Sequence, residues 1–119
     1  MKITLYWRVP SKKNSKQIVR WRIISSKAYL QWEKEQINNL LDIWQEIHIN
    51  PPFKIICDFY MPDRRLSDLS NKFESIADML VKYGLFEDDN YTILQKIILN
   101  YKGYDKINPR CEIEIKELI

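Results

Sequence analysis

At 119 residues, with 45% hydrophobic side chains and fifteen aromatics, the chain is long enough for one domain with a single core and too short for two. Two glycines argue against flexible linkers, no apolar run approaches the roughly 18 residues that span a bilayer, and the first ten residues lack the apolar stretch of a signal peptide. A single cytoplasmic domain over residues 1–119 is expected. The net charge of +3 hides an asymmetry, because residues 1–27 carry eight basic groups and no acid. That end is suited to an anionic partner.

In chain order, residues 3–9 are rich in strand formers, and the basic segment Pro10-Ser-Lys-Lys-Asn-Ser-Lys16 separates them from a second strand-like run, 17–24, which makes the two a hairpin candidate. Tyr6, Trp7, Trp21 and several isoleucines interleave with the charges. Basic strands bearing aromatics suit phosphate neutralisation combined with base stacking. Ser25 or Ser26 caps an expected helix over 27–47, on which Tyr29, Trp32, Gln36, Leu40, Ile43 and Ile47 recur at helical spacing until Asn50-Pro51-Pro52 ends it. His48 falls near that end, where a solvated side chain is the ordinary outcome. Residues 53–61 form the next strand, followed by the turn Pro62-Asp63-Arg64-Arg65. A second helix over 67–83 carries the stripe Leu69, Phe73, Ile76, Leu80 and Tyr83, with Gly84 where a left-handed cap is expected. Residues 91–101 and 110–118 read as two closing strands. Cys57 and Cys111 sit in apolar strand patterns and are expected as buried free thiols. The fold class is therefore α+β, a mixed β-sheet with two main helices packed on one face.

Asp68, Glu74, Asp78, Asp88 and Asp89 crowd into the second helix and the turn after it. Neighbouring carboxylates repel, and hard oxygen ligands of this kind suit Mg2+ or Mn2+. Each has a plainer role open to it: Asp68 as helix cap, Glu74 in a capping box with Asn71, Asp78 paired with Lys82, and Glu87-Asp88-Asp89 as a solvated turn. A helix of about four turns would also hold Asp68 some 25 Å from Asp89 unless the following turn folds back.

Six segments in order resemble the RusA-like Holliday junction resolvases of bacteria and phages. They are Pro10-Ser-Lys-Lys-Asn14, Ser26-Lys-Ala-Tyr-Leu-Gln-Trp-Glu33, Met61-Pro-Asp-Arg-Arg65, Asp68-Leu-Ser-Asn71, Asp78-Met-Leu80 and Gly84-Leu-Phe-Glu-Asp-Asp89. The resemblance implies a homodimeric, metal-dependent endodeoxyribonuclease that resolves four-way junctions by paired nicks during DNA recombination or repair. Asp68 then corresponds to the first acid of the family's Asp-x-Asp-Asn motif, and Asp89, with Asp88 beside it, to the acid after the helix. Ser70 stands where the family has its second Asp, and Glu74 where it has a lysine. Glu74 or Asp78, on the same helix face as Ser70, would restore the missing charge. The expected catalytic residues are Asp68, Asp89, Glu74 and Asp78, with Asp68, Asp88, Asp89 and Glu74 around Mg2+ or Mn2+. Lys12, Lys13, Asn14, Lys16, Lys27, Arg64, Arg65 and Lys72 are expected on DNA. A non-catalytic branched-DNA-binding dimer and a nuclease for other branched DNA are the alternative expectations.

Overall fold

The computed structural model describes residues 1–6, 8–10, 16–19, 22–25, 27–44 and 49–118, with the side chains of 16–19, 22–25, 41, 42 and 44 left aside. The elements run β1 (Lys2–Tyr6), β2 (Lys16–Val19), β3 (Arg22–Ser25), α1 (Lys27–Trp44), β4 (Phe53–Met61), α2 (Leu69–Lys82), β5 (Leu94–Tyr104) and β6 (Arg110–Glu117). Four strands form a mixed sheet in the order β1-β6-β4-β5, in which β4 and β5 are parallel and the other pairs antiparallel. An α+β fold with a mixed sheet and two helices is thus what the chain adopts.

Alternation along β1, β4 and β6 determines which face is buried. Ile3 pairs with Ile113, which pairs with Cys57, and Leu5 pairs with Cys111, which pairs with Phe59. All six are essentially inaccessible, whereas Thr4, Ile56, Asp58, Glu112 and Glu114, one residue out of phase, line a shallow concavity on the other side. Both helices contribute to the one core on the buried face, α1 through Tyr29, Trp32 and Leu40, and α2 through Phe73, Ile76, Met79 and Leu80.

The expected hairpin is corrected. β2 and β3, in the region of the second expected strand, do not pair with the first; they pair antiparallel with each other, Lys16 opposite Ser25 and Val19 opposite Arg22, and β1 pairs with the last strand instead. The first and last strands each offer a strict apolar alternation, so together they complete the buried face, which neither does with the basic run. The second helix begins at Leu69 rather than at 67, and the strand expected at 91–101 is shifted to Leu94–Tyr104, after a turn in which Asn90 Oδ1 accepts the Thr92 N–H. Gly84, at φ +83°, ends α2 in a Schellman arrangement, its N–H on the Val81 carbonyl at 3.1 Å and that of Leu85 on the Leu80 carbonyl at 2.9 Å.

Cys57 and Cys111 are fully buried, on β4 and β6. The contact with Cys57 and the loss of water push the Cys111 thiol far above the usual range, so almost no thiolate forms. Native protein should therefore leave both thiols unreacted with a disulfide reagent at pH 8 over a time in which a guanidinium-unfolded sample reacts completely. Rapid native labelling of even one would place that thiol at an accessible surface.

Candidate functional site

Because β4 and β5 are parallel, α2 is the crossover between them and runs the length of the sheet. Its N-terminus follows the end of β4; its C-terminus leads to the start of β5, where the Phe53 N–H meets the Ile93 carbonyl at 2.8 Å. The 14 residues of α2 measure about 20 Å at 1.5 Å each. The carboxylates expected together are divided between its two ends.

Asp68 stands alone of the five at the leading end. It occupies the N-cap position with extended backbone, yet its side chain makes no capping bond; its Oδ2 accepts from the Asn71 side chain at 3.2 Å. An aspartate at this position ordinarily binds the helix N–H groups. Ser67, Leu69, Arg64 and Arg65 surround it in sequence and, with Met61, Asp63, Leu66, Tyr101 and Tyr104, line a cavity of about 600 Å³. The Asp63 carboxylate holds this basic turn in shape. It accepts from Arg65 Nε at 3.1 Å and the Arg65 N–H at 3.0 Å, and pairs with Arg8 at 2.7 Å. Those Arg65 bonds, with the Arg8 charge adding to them, lower its pKa to about 2.

Asp78, Asp88 and Asp89 share the trailing end. Asp88 accepts the Asp89 N–H at 2.7 Å and the Asn90 side chain at 3.0 Å, which lowers its pKa, whereas partial withdrawal from water and the charges of Asp88 and Asp78 raise that of Asp89. Glu74 is exposed on α2 between the two ends. Among the described residues no three carboxylates, histidines or cysteines gather closely enough to hold one ion. Within one chain Asp68 and Asp89 lie toward opposite ends of α2, since Asp89 feels the charge of Asp78 and Asp78 lies ten residues, about 15 Å, along α2 from Asp68.

The plainer roles are revised as well. Asn71 lies within the first turn of α2 and Glu74 beyond it, and the N-cap is Asp68, so Asn71 and Glu74 form no capping box; the Lys82 ammonium is bound to Glu33 of α1 rather than standing as a partner for Asp78. Glu33 is buried, bonded also by the Tyr83 hydroxyl at 3.1 Å and by Tyr29. Sequence reasoning missed it, although its position four residues after Tyr29 and three before Gln36 puts it on the buried stripe.

Lys72, expected on a phosphate, turns inward. It is 2% exposed, and its ammonium donates to the Val9 carbonyl at 2.7 Å, while Ser75 Oγ donates to the Pro10 carbonyl at 2.7 Å. α2 thereby grips the root of the basic segment. Arg64, Arg65 and Lys27 are exposed; the side chain of Lys16 and all of Trp7, Lys12, Lys13, Asn14, Trp21 and His48 lie outside the described residues. Burial lowers the Lys72 pKa to about 8, helped by Arg8 and opposed by Asp63. Between pH 8 and the unfolded value of about 10.4 the unfolded chain binds more protons than the folded one, so stability rises with pH across that window. At about 1.4 kcal/mol per unit the gain approaches about 3 kcal/mol. Denaturation at pH 7.5 and 10.5 should show it as a rise in the stability of the native protein relative to Lys72→Met; parallel pH dependences would mean the ammonium is solvated.

Among the described residues no helix is long and apolar enough to cross a membrane. No protein-family model matches the chain, and no curated protein is significantly similar to it.

Proposed function

We propose that the chain is a homodimeric, Mg2+- or Mn2+-dependent endodeoxyribonuclease that cuts branched DNA, four-way junctions foremost. The observation that carries this reading is Asp68. Its carboxylate is exposed, makes no bond to the helix N–H groups, and lies at the positive end of α2, three and four residues after the exposed Arg65 and Arg64. A phosphate approaching this end would meet Arg64, Arg65 and the first-turn N–H groups together. Asp63 keeps Arg65 and Arg8 in place. A bound divalent ion would activate water and offset charge on the phosphate and departing oxygen.

Within one chain α2 separates Asp68 from Asp89. A two-fold copy laid with its α2 antiparallel to the first would bring Asp68 of one chain level with Asp88 and Asp89 of the other. A four-way junction, itself nearly two-fold symmetric, calls for such a pair. The same separation favours a second reading, a dimer that binds branched DNA by shape without cutting it.

Cleavage of a labelled four-way junction in Mg2+, in Mn2+ and in EDTA, with linear duplex as control, decides between them. Metal-dependent nicking of the junction is the expected result. Tight junction binding without nicks in either metal would leave the second reading, and nicks preferring flaps over junctions would redirect the nuclease to other branched DNA.

A further inference from the structure

The strand register at the end of the β4·β5 pair contains an irregularity that builds a feature of its own. Phe59 and Met61, two residues apart on the buried face, pair with Tyr101 and Tyr104, three residues apart, because the pairing shifts after Phe59. One extra residue, Lys102, is accommodated, and Gly103 takes φ +119°, a conformation that side chains with a Cβ rarely adopt. Without the bulge, alternation would send Tyr101 and Tyr104 to opposite faces. With it, both rings line the cavity of about 600 Å³ in front of α2.

These rings stay in contact with water, Tyr101 at 60% and Tyr104 at 45% exposure, and the Arg64 guanidinium lies 5.5 Å from the Tyr104 ring centre. Arg65 opens onto the same space with its side chain 74% exposed. The cavity lies beyond the carboxyl ends of two parallel strands, where open sheets containing parallel strands bind ligands, and its volume is in the range of small-molecule pockets. Aromatic faces supply stacking, and Arg64, the exposed side of the Arg65 guanidinium that pairs with Asp63, and a helix N-terminus supply anion contacts. That combination matches a heterocyclic base carrying its phosphate.

We infer that this cavity holds one unpaired deoxynucleotide of a DNA strand, its base stacked on Tyr101 and Tyr104 and its phosphate on Arg64 and Arg65. The inference rests on the DNA reading above and adds a base-sensing element to it. Stacking is not specific to one base, so the pocket recognises that a base is unpaired rather than which base it is. Paired bases are shielded by their neighbours and cannot enter.

The test uses binding, not cleavage, in EDTA. Anisotropy with a labelled ten-nucleotide thymidine strand and with an abasic strand of equal charge should show about tenfold tighter binding of the former. Tyr101→Leu with Tyr104→Leu should abolish that preference, bringing the affinity for the thymidine strand down to that for the abasic one. Both side chains are exposed, and a matching denaturation midpoint would confirm the fold. A preference that survives in the double variant would overturn the pocket and move stacking elsewhere in the chain. Equal affinity of the native protein for the two strands would overturn the pocket and leave DNA binding standing; no affinity for either would overturn both. Conversion of a dimer to a monomer by the double variant would also overturn the proposal, making the cavity an interface between copies.

Discussion

Mixing two inactive variants should restore nicking. Asp68→Asn and Asp89→Asn should each lower junction cleavage by at least about a hundredfold, more than the loss of an outer partner of a metal ligand. Co-refolded at equal concentration, they should recover about a quarter of the native rate, since half of randomly paired dimers are mixed and each of those has one intact Asp68–Asp89 combination. The reason is the position of α2, which puts Asp68 at one end and Asp88 and Asp89 at the other. If each active site were complete within its own chain, every site in a mixed dimer would carry a defect and the mixture would stay inactive. Single-turnover nicking of a labelled junction distinguishes the outcomes, with denaturation midpoints confirming that both variants fold.

A large loss of stability should follow from Lys82→Met. The Glu33 side chain is 2% exposed and depends on the Lys82 ammonium for its counter-charge. That bond is the main cause of the raised Lys82 pKa, while burial and Glu33 together raise that of Tyr29. Removing the cation leaves a buried carboxylate held, among the described residues, by tyrosine hydroxyls, which should cost about 3 kcal/mol. Adding Glu33→Gln to Lys82→Met should return most of it, because the amide needs no counter-charge. A loss below about 1 kcal/mol for the single variant would class the pair with ordinary surface ion pairs. Urea denaturation of the two variants and the native chain measures both quantities.

Local periodicity made much of the fold legible. The β4 bounds, the stripe on α2, the left-handed Gly84 and the alternation in β6 all follow from side-chain spacing within one element. Pairing partners did not, because β1 and the basic run are adjacent in sequence and both strand-like. Only the complete buried face, with Ile113 and Cys111 opposite Ile3 and Leu5, distinguishes the true partner. At the candidate site the sequence singled out the carboxylates and the Arg64-Arg65 turn and also the length of the helix between Asp68 and Asp89, but whether the turn after that helix folds back could not be read from it. The parallel crossover that divides the acids depends on how β4 and β5 are ordered, a long-range fact. The bulge that aligns Tyr101 with Tyr104 is equally silent in the sequence, apart from Gly103 within a strand, which is an ordinary mark of such a bulge.

The grip of Lys72 and Ser75 on the Val9 and Pro10 carbonyls sets a tether length. Three residues of chain extend at most about 11 Å, so the Lys13 backbone cannot leave that radius around Pro10. At 3.4 Å of rise per base pair this is about three steps of a duplex. Under the proposed function, a backbone captured by Lys12 or Lys13 would thus be delivered close to the first half of α2, and the DNA footprint of these two lysines should be short.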